Sequence, residues 1–381
     1  MKYMGSKRAL LSNGLGQLIL REAQNRHSRR VVDLFCGAAS VSWFAAENSA
    51  LPVLSIDLQS YATVMAAAVV ARGGPLQASE LIEGWLNRAR QRVRASSMWQ
   101  LVSELDLNIR VRERVAKARD LCLSRSAEGL VWSAYGGYYF SPRQALTFDY
   151  MLGLLPNEEP AHTACLAATI SSASRCAAAP GHTAQPFQPS GTAARYLLEA
   201  WSRDPLAKAE EFLVSVCPRH ARIAGTVLTD DALNAMQWLG RGDLVIVDPP
   251  YSAVHYSRFY HVLETIARGK RVVVTGSGRY PPQKERPRSV FSVPSKSREA
   301  MHQLLSGLAE ARSTVILTFP AAMCSNGLSG QMIARMAQAW FRVREKVVHG
   351  RFSTLGGNNT SRAARSPSEE LILLLEPSAL S

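Results

Sequence analysis

The run Leu244-Val245-Ile246-Val247-Asp248-Pro249-Pro250-Tyr251 constrains this chain more than any other stretch. Apolar, mostly β-branched residues stopped by two prolines describe a buried strand with an abrupt end. Each proline fixes its own φ and lacks an N–H, and the first also narrows the conformations open to Asp248. The outcome is a stiff loop at a strand's carboxyl end, carrying a carboxylate, free carbonyls and one aromatic ring. In open α/β sheets that edge is where ligands bind. The set suits a flat heterocycle bearing an amino group. A plain strand and proline turn, with Tyr251 closing over a core, would give the same tetrapeptide, so the rest of the chain decides.

A related pattern lies upstream. Val31-Val32-Asp33-Leu34-Phe35-Cys36-Gly37-Ala38-Ala39-Ser40 reads as an apolar strand holding an acid, a turn of small residues, then a helix from Val41 to about Asn48. Small residues let a backbone approach a ligand closely, and the helix start offers free N–H groups. Pro52–Asp57 is a second strand ending in an acid. An acid at that tip commonly hydrogen-bonds ribose hydroxyls, although a helix N-cap is the competing role for Asp57. Gly225–Asp231 repeats the pattern with Asp230 and Asp231 at its end. Further strands are expected at Lys270–Thr275 and Ser313–Phe319, and a terminal hairpin at Val343–Phe352 and Glu370–Leu375.

Between these strands, from about Leu76 to Ala224, the texture is helical, and the first residues form a basic arm before an amphipathic helix at about Leu10–Gln24. The helical stretch holds an aromatic, glycine-rich loop (Trp132 to Gln144, with Tyr138 and Arg143) and a second loop, Pro180–Pro186, with His182 and Gln185. Such aromatics serve either as stacking groups for nucleic acid or as packing for a loop-rich subdomain. After Tyr251 come Tyr256 and Arg258, then a long basic loop over 276–298 with Arg286 and Arg288.

Composition narrows the class. A chain of 381 residues is long enough for one catalytic domain with an insertion. The formal charge of +14 points to a polyanionic partner, and the arginines supply phosphate-binding potential, although each alone is a solvated surface residue. No apolar run reaches the ~18 to 20 residues of a membrane span, and the start lacks a signal-peptide core, so a cytoplasmic, nucleoid-associated protein is expected. Six scattered cysteines without a CxxC pair fit reduced thiols, and dispersed histidines imply no metal.

The order of these features resembles the Dam-like family of adenine-specific DNA methyltransferases, in the arrangement that places cofactor motifs before the DPPY motif. The Lys2–Lys7 arm, the DLFCGA turn, the YGGYYFSPRQA and PGHTAQP loops, the YSRFYHVLE run, SNGL and STLGG share in the resemblance. It implies a class I methyltransferase fold: an α/β, Rossmann-like mixed sheet with a C-terminal antiparallel hairpin and a mainly helical inserted target-recognition domain. The implied division is 1–75 and 225–381 for the methyltransferase domain, with 76–224 as the insertion. S-adenosylmethionine is the implied donor. By position, Tyr3 and Lys7 would lie beside it, Asp33, Phe35 and Gly37 would hold its methionine part, Asp57 its ribose, and Asp231 or Asp230 its adenine amine. The family usually has a second glycine where this chain has Ala39; alanine is accommodated there if its φ is negative. Asp248, Pro249, Pro250 and Tyr251 would be catalytic, working on a base flipped out of double-stranded DNA. Tyr138, Arg143, His182, Gln185, Tyr256, Arg258, Arg286 and Arg288 are the candidate DNA contacts. Rival readings are transfer to cytosine N4 or to adenine in RNA, and a non-catalytic nucleic-acid-binding component. A restriction endonuclease or defence-system components are conceivable partners.

Overall fold

The strands Arg30–Asp33, Val53–Asp57, Asp243–Val247 and Thr314–Pro320 are short, mostly buried apolar runs, as expected where both faces of a parallel sheet are covered by helices. The computed structural model describes residues 7–25, 27–105, 110–125, 129–353 and 365–378. These divide into two units. One takes in the described residues from Lys7 to Gly74, His220–Tyr256 and those from Pro287 on; the other takes in the described residues of Pro75–Arg219 and Ser257–Arg286.

The first unit is built on one sheet. Its strands are β1 (Arg30–Asp33), β2 (Val53–Asp57), β3 (Thr226–Thr229), β4 (Asp243–Val247), β5 (Thr314–Pro320), β6 (Phe341–Ser353) and β7 (Arg365–Pro377). They lie in the order β3-β2-β1-β4-β5-β7-β6. The first five run parallel, whereas β7 is antiparallel to both β5 and β6. This mixed α/β sheet with flanking helices is consistent with a class I methyltransferase, and β6–β7 is the terminal hairpin. Register aligns Leu54, Val32, Val245, Val315 and Leu375 in one row across the sheet. That row packs on Met301, Leu304 and Leu308 of the helix Ser297–Glu310 and on Ile333 of the helix Gly330–Ala337. The helices Ser40–Asn48 and Ser60–Val70 follow β1 and β2 and bury Trp43, Tyr61, Met65 and Val69. Full burial of such side chains contributes about 1.5–3 kcal/mol each.

Topology places the acids. The chain runs β1, β2, β3 toward one edge and then returns through β4 and β5 toward the other, so the order reverses between β1 and β4. Parallel strands share a carboxyl edge. Asp33 ends β1, Asp57 ends β2, and Asp248 follows β4, all at that edge.

The second unit is helical. The helix Ala161–Cys176, rich in alanine and serine, is almost wholly buried, and its Ser172 hydroxyl donates to the Pro205 carbonyl at 2.7 Å. The helix Pro142–Gly153 starts with Pro142 at its first position and a capping box between Ser141 and Gln144. Two expectations fail locally. Lys270–Thr275 forms no strand: Lys270, Arg271 and Val273 are exposed, so an extended segment there has little apolar surface to bury, and only Thr275 bridges to Tyr280. The expected helix at about Leu10–Gln24 is broken at Asn13 and Gly14, where Gly14 takes φ 111°. Glycine adopts that conformation without a Cβ penalty.

Candidate active site

The loop after β1 is stitched to both neighbouring strands. Leu34 N–H donates to the Ile246 carbonyl of β4 at 3.1 Å, and Cys36 N–H donates to Ile56 of β2 at 3.0 Å. Gly37 turns with φ 48°, and its N–H donates to Oδ2 of Asp57 at 2.9 Å. The other Asp57 oxygen accepts the Gln59 N–H at 2.9 Å, while the helix Ser60–Val70 takes Gln59 itself as its N-cap. Asp57 therefore braces the loop across two strands rather than capping the helix. Ala39 stands at φ 63°, so the negative φ expected for an alanine there is not adopted. Its left-handed backbone carries a Cβ penalty of roughly 1–2 kcal/mol, and its burial among the helix start and β1 loop holds it there.

Asp33 is buried, and the Ser42 hydroxyl donates to its Oδ2 at 2.6 Å. Burial is the main reason its carboxyl is pushed up to about 7; Ser42 opposes the rise and the charge of Asp248 adds to it. No cation pairs with Asp33 among the described residues. Phe35 meets Phe291 edge-on with centroids 5.4 Å apart. Asp230 accepts the Asp231 N–H at 2.7 Å, and Oδ1 of Asp231 accepts the Leu233 N–H at 2.9 Å. Each spends one oxygen on the turn after β3, so the two acids remain equivalent on this ground. Cys36 is buried, and burial, then Asp57 and Asp33, hold its thiol well above the usual range. That removes it as a nucleophile.

The DPPY loop is fixed on three sides. The Thr318 hydroxyl of β5 donates to Oδ1 of Asp248 at 2.9 Å, and Lys7 Nζ reaches the same oxygen at 3.0 Å. Lys7 is itself buried and also donates to Glu370 of β7. Burial works to lower the Lys7 pKa, but Asp248 and Glu370 outweigh it and the net shift is upward. Asp248 is raised by burial, against the lowering effect of Lys7. The Asn326 amide donates to the Pro250 carbonyl at 2.9 Å and to Phe291 at 3.1 Å, so the SNGL loop clamps the second proline. Tyr251 lies edge-on to Phe319 at 6.3 Å, below the Lys7 ammonium at 5.9 Å from its ring centroid. Burial pushes its phenol up to about 12, so it stays neutral. Among the described residues, Oδ2 of Asp248 and the carbonyl of Pro249 accept no hydrogen bond. Two acceptors on a rigid loop are thus left for a ligand's amine.

Residues 3–100 match the family model of the D12 class N6 adenine-specific DNA methyltransferases. The match supports a Dam-like adenine methyltransferase family. It spans Lys7, the β1 loop and Asp57, and it ends before the DPPY loop. No curated protein matches the chain.

The sheet unit also holds Tyr256 and Arg288; Arg288 Nε lies 3.5 Å from the His255 ring. The Tyr256 side chain is hydrogen-bonded to the Tyr251 phenol. The other candidate DNA contacts belong to the helical unit. Tyr138 is half-buried, with the Arg119 and Arg279 guanidinium groups 4.3 and 4.6 Å from its ring centroid. Its neighbours Tyr135, Tyr139 and Phe140 are fully buried, the packing role of the two open from sequence. Arg143 is half-buried in the first turn of its helix. His182 packs on Phe259 at 5.0 Å and accepts the Ala184 N–H, while Gln185 is exposed. Arg258 and Arg286 converge on the ring of Tyr280, at 5.3 and 5.4 Å. Tyr3 lies outside the described residues. Sequence reasoning missed Thr318, Glu370, Asn326 and Tyr280; only Asn326 had a local signal, as part of the SNGL loop.

Among the described residues no helix is long and apolar enough to cross a membrane, and no cluster of His, Cys, Asp or Glu is arranged to hold a metal ion.

Proposed function

We propose that this protein transfers a methyl group from S-adenosylmethionine to N6 of an adenine flipped out of double-stranded DNA. One observation carries the reading: Asp248 and Pro249 present two open acceptors on a fixed loop, beside an acidic sheet edge. An exocyclic aromatic amine is a poor nucleophile because its lone pair is delocalised into the ring. Accepting both N–H groups, at Oδ2 of Asp248 and the Pro249 carbonyl, localises that pair and stabilises the positive charge that develops on nitrogen. The amine lone pair forms the new N–C bond as the C–S bond breaks with its electrons to sulfur. One amine proton then leaves by way of the hydrogen bond to Asp248. Tyr251 stacks on the base, and extracting it from the duplex costs a few kcal/mol.

The donor supplies a sulfonium-activated methyl group and carries positive charge. Asp33, Asp57 and Asp248 face that edge with Lys7 as the one buried cation ion-paired there among the described residues, an imbalance that fits a cationic ligand. Asp33, Phe35 and Gly37 would hold its methionine part, Asp57 the ribose, and Asp231, or its neighbour Asp230, the adenine amine; Tyr3 would lie alongside. Lys7 spends its charge on Asp248 and Glu370, so its role is better placed at the catalytic carboxylate than at the cofactor.

For DNA, the helical unit offers Arg258 and Arg286 on Tyr280, neither with an ion-pair partner among the described residues, and Arg286 Nε is buried without a hydrogen bond. Two unpaired cations on one ring favour a phosphate between them. Replacing both by alanine should weaken DNA binding similarly for all sequences and reduce the salt slope by about two. Equilibrium binding across a salt series checks this, and an unchanged slope removes them from the interface. Tyr138, Arg143, His182, Gln185, Tyr256 and Arg288 remain as further contacts in this reading. The function itself is tested by methylation-sensitive sequencing of DNA from a host expressing the protein. N6-methyladenine in a recurrent motif is expected; methyl on cytosine N4, or none, overturns it.

A further inference from the structure

The β7 register brings one more acid to the reaction centre. Pro320 of β5 pairs with Glu370 and Thr318 with Ile372, so Thr318 and Glu370 point to the same face two positions apart. Asp248 follows β4, whose Val247 pairs with Leu317, which places its side chain on that face too. Lys7, buried between them, bonds to Glu370 and to Oδ1 of Asp248.

We propose that Glu370 is a positioning residue for methyl transfer: by holding the Lys7 ammonium and sharing its charge, it fixes Oδ1 of Asp248 and leaves Oδ2 a strong acceptor for the adenine amine. The reasoning is electrostatic. A lysine paired with Asp248 alone would neutralise it and weaken Oδ2 as an acceptor. No lysine would leave a half-buried carboxylate favouring its protonated, non-accepting form. A single ammonium between two carboxylates lies between these limits. The other groups facing Asp248 are Thr318 from β5, Tyr251 from its own loop and Asp33 from β1. Thr318 and Tyr251 are neutral, and Asp33 interacts with Asp248 through its charge alone, so the Lys7–Glu370 pair is the adjustable part.

The proposal rests on the methyl-transfer reading, and the test separates the two. Asp248 is followed by carbon-detected NMR titration of carboxyl-labelled aspartate, assigned with Asp248→Asn, and single-turnover methylation is measured with donor and DNA saturating. Glu370→Gln should lower the Asp248 pKa and slow the plateau rate about 3- to 30-fold, with DNA affinity and melting temperature unchanged. Lys7→Met should raise the Asp248 pKa further, since it removes the charge that holds it down. Glu370→Asp, which keeps the charge but withdraws it, should recover part of the rate. Because Glu370 acts through Lys7, the double variant should be no slower than Lys7→Met alone. An unmoved Asp248 titration in Glu370→Gln, or an equal slowing of the Lys7→Met enzyme, overturns the proposal. A wild-type protein that titrates as expected but methylates nothing overturns the function instead.

Discussion

Asp248→Asn is expected to reduce methyl transfer by about 10²- to 10³-fold while the protein folds as before. Asparagine has nearly the same shape, so Thr318 and the Pro249–Pro250 backbone keep the loop in place. What it loses is the negative charge at Oδ2, the acceptor that would polarise the amine and balance the charge developing on it. Its amide can also turn an N–H toward the substrate, which repels the group the pocket must hold. The fold should not suffer. Burial raises the Asp248 pKa, so the ionised carboxylate is a net cost to the folded state, and Lys7 keeps Glu370 as its partner. The measurement is incorporation of labelled methyl into DNA, with thermal melting and DNA binding followed in parallel. Turnover within tenfold of wild type would remove Asp248 from the chemistry, and loss of DNA binding in step with turnover would make it structural.

The second large effect is expected at Asp33. Its folded pKa lies near 7, above the ordinary value of 3.8. A carboxyl raised in this way contributes stability that is fully present below pH 4 and is lost as pH rises through about 7. The span corresponds to about 4 kcal/mol. Asp33→Asn keeps an acceptor for Ser42 and carries no charge, so at pH 8 the ligand-free variant should melt above wild type. On the proposed function the same change should weaken S-adenosylmethionine binding by about 100-fold, because the carboxylate would be the counter-charge for the cationic ligand. In the wild type, the ligand favours ionised Asp33, so affinity should fall as pH drops below 7; in the variant that slope should disappear. Calorimetric titration from pH 5.5 to 8.5 reads both. A variant that binds normally, or that melts below wild type at pH 8, would contradict the placement of Asp33 as a buried, ligand-facing acid.

Much of the sheet unit was legible because its signals are local. The VVD, VLSID and DLVIV runs are short, apolar and ended by acids, and each lies within a residue of its expected bounds. The parallel order then puts those acids on one edge without any long-range information beyond the crossover rule. Elements without such a signal were misread. Lys270–Thr275 has the β-branched residues of a strand but is exposed, and burial rather than propensity decides. The YGGYYF loop was open between stacking and packing from its sequence alone, and burial decides it: Tyr135 and Tyr139 lie against His261, and the Tyr139 hydroxyl donates to Thr183 at 2.6 Å. Only Tyr138 keeps partial exposure, between two guanidinium groups.

The sequence by itself determined the stiff loop at Asp248–Tyr251, the small-residue turn at Gly37 and the acids that close the parallel strands. Those follow from residue type over a few positions: proline fixes φ, glycine turns, and β-branched runs bury. The tertiary structure decided which atoms of that loop are free. Thr318, Lys7 and Asn326 take one carboxylate oxygen and one carbonyl, and leave the other oxygen and the Pro249 carbonyl open. It also decided that Ala39 is left-handed and that Glu370, far away in sequence, shares Lys7 with Asp248. Antiparallel register and burial set these, and neither is written in any local run of residues.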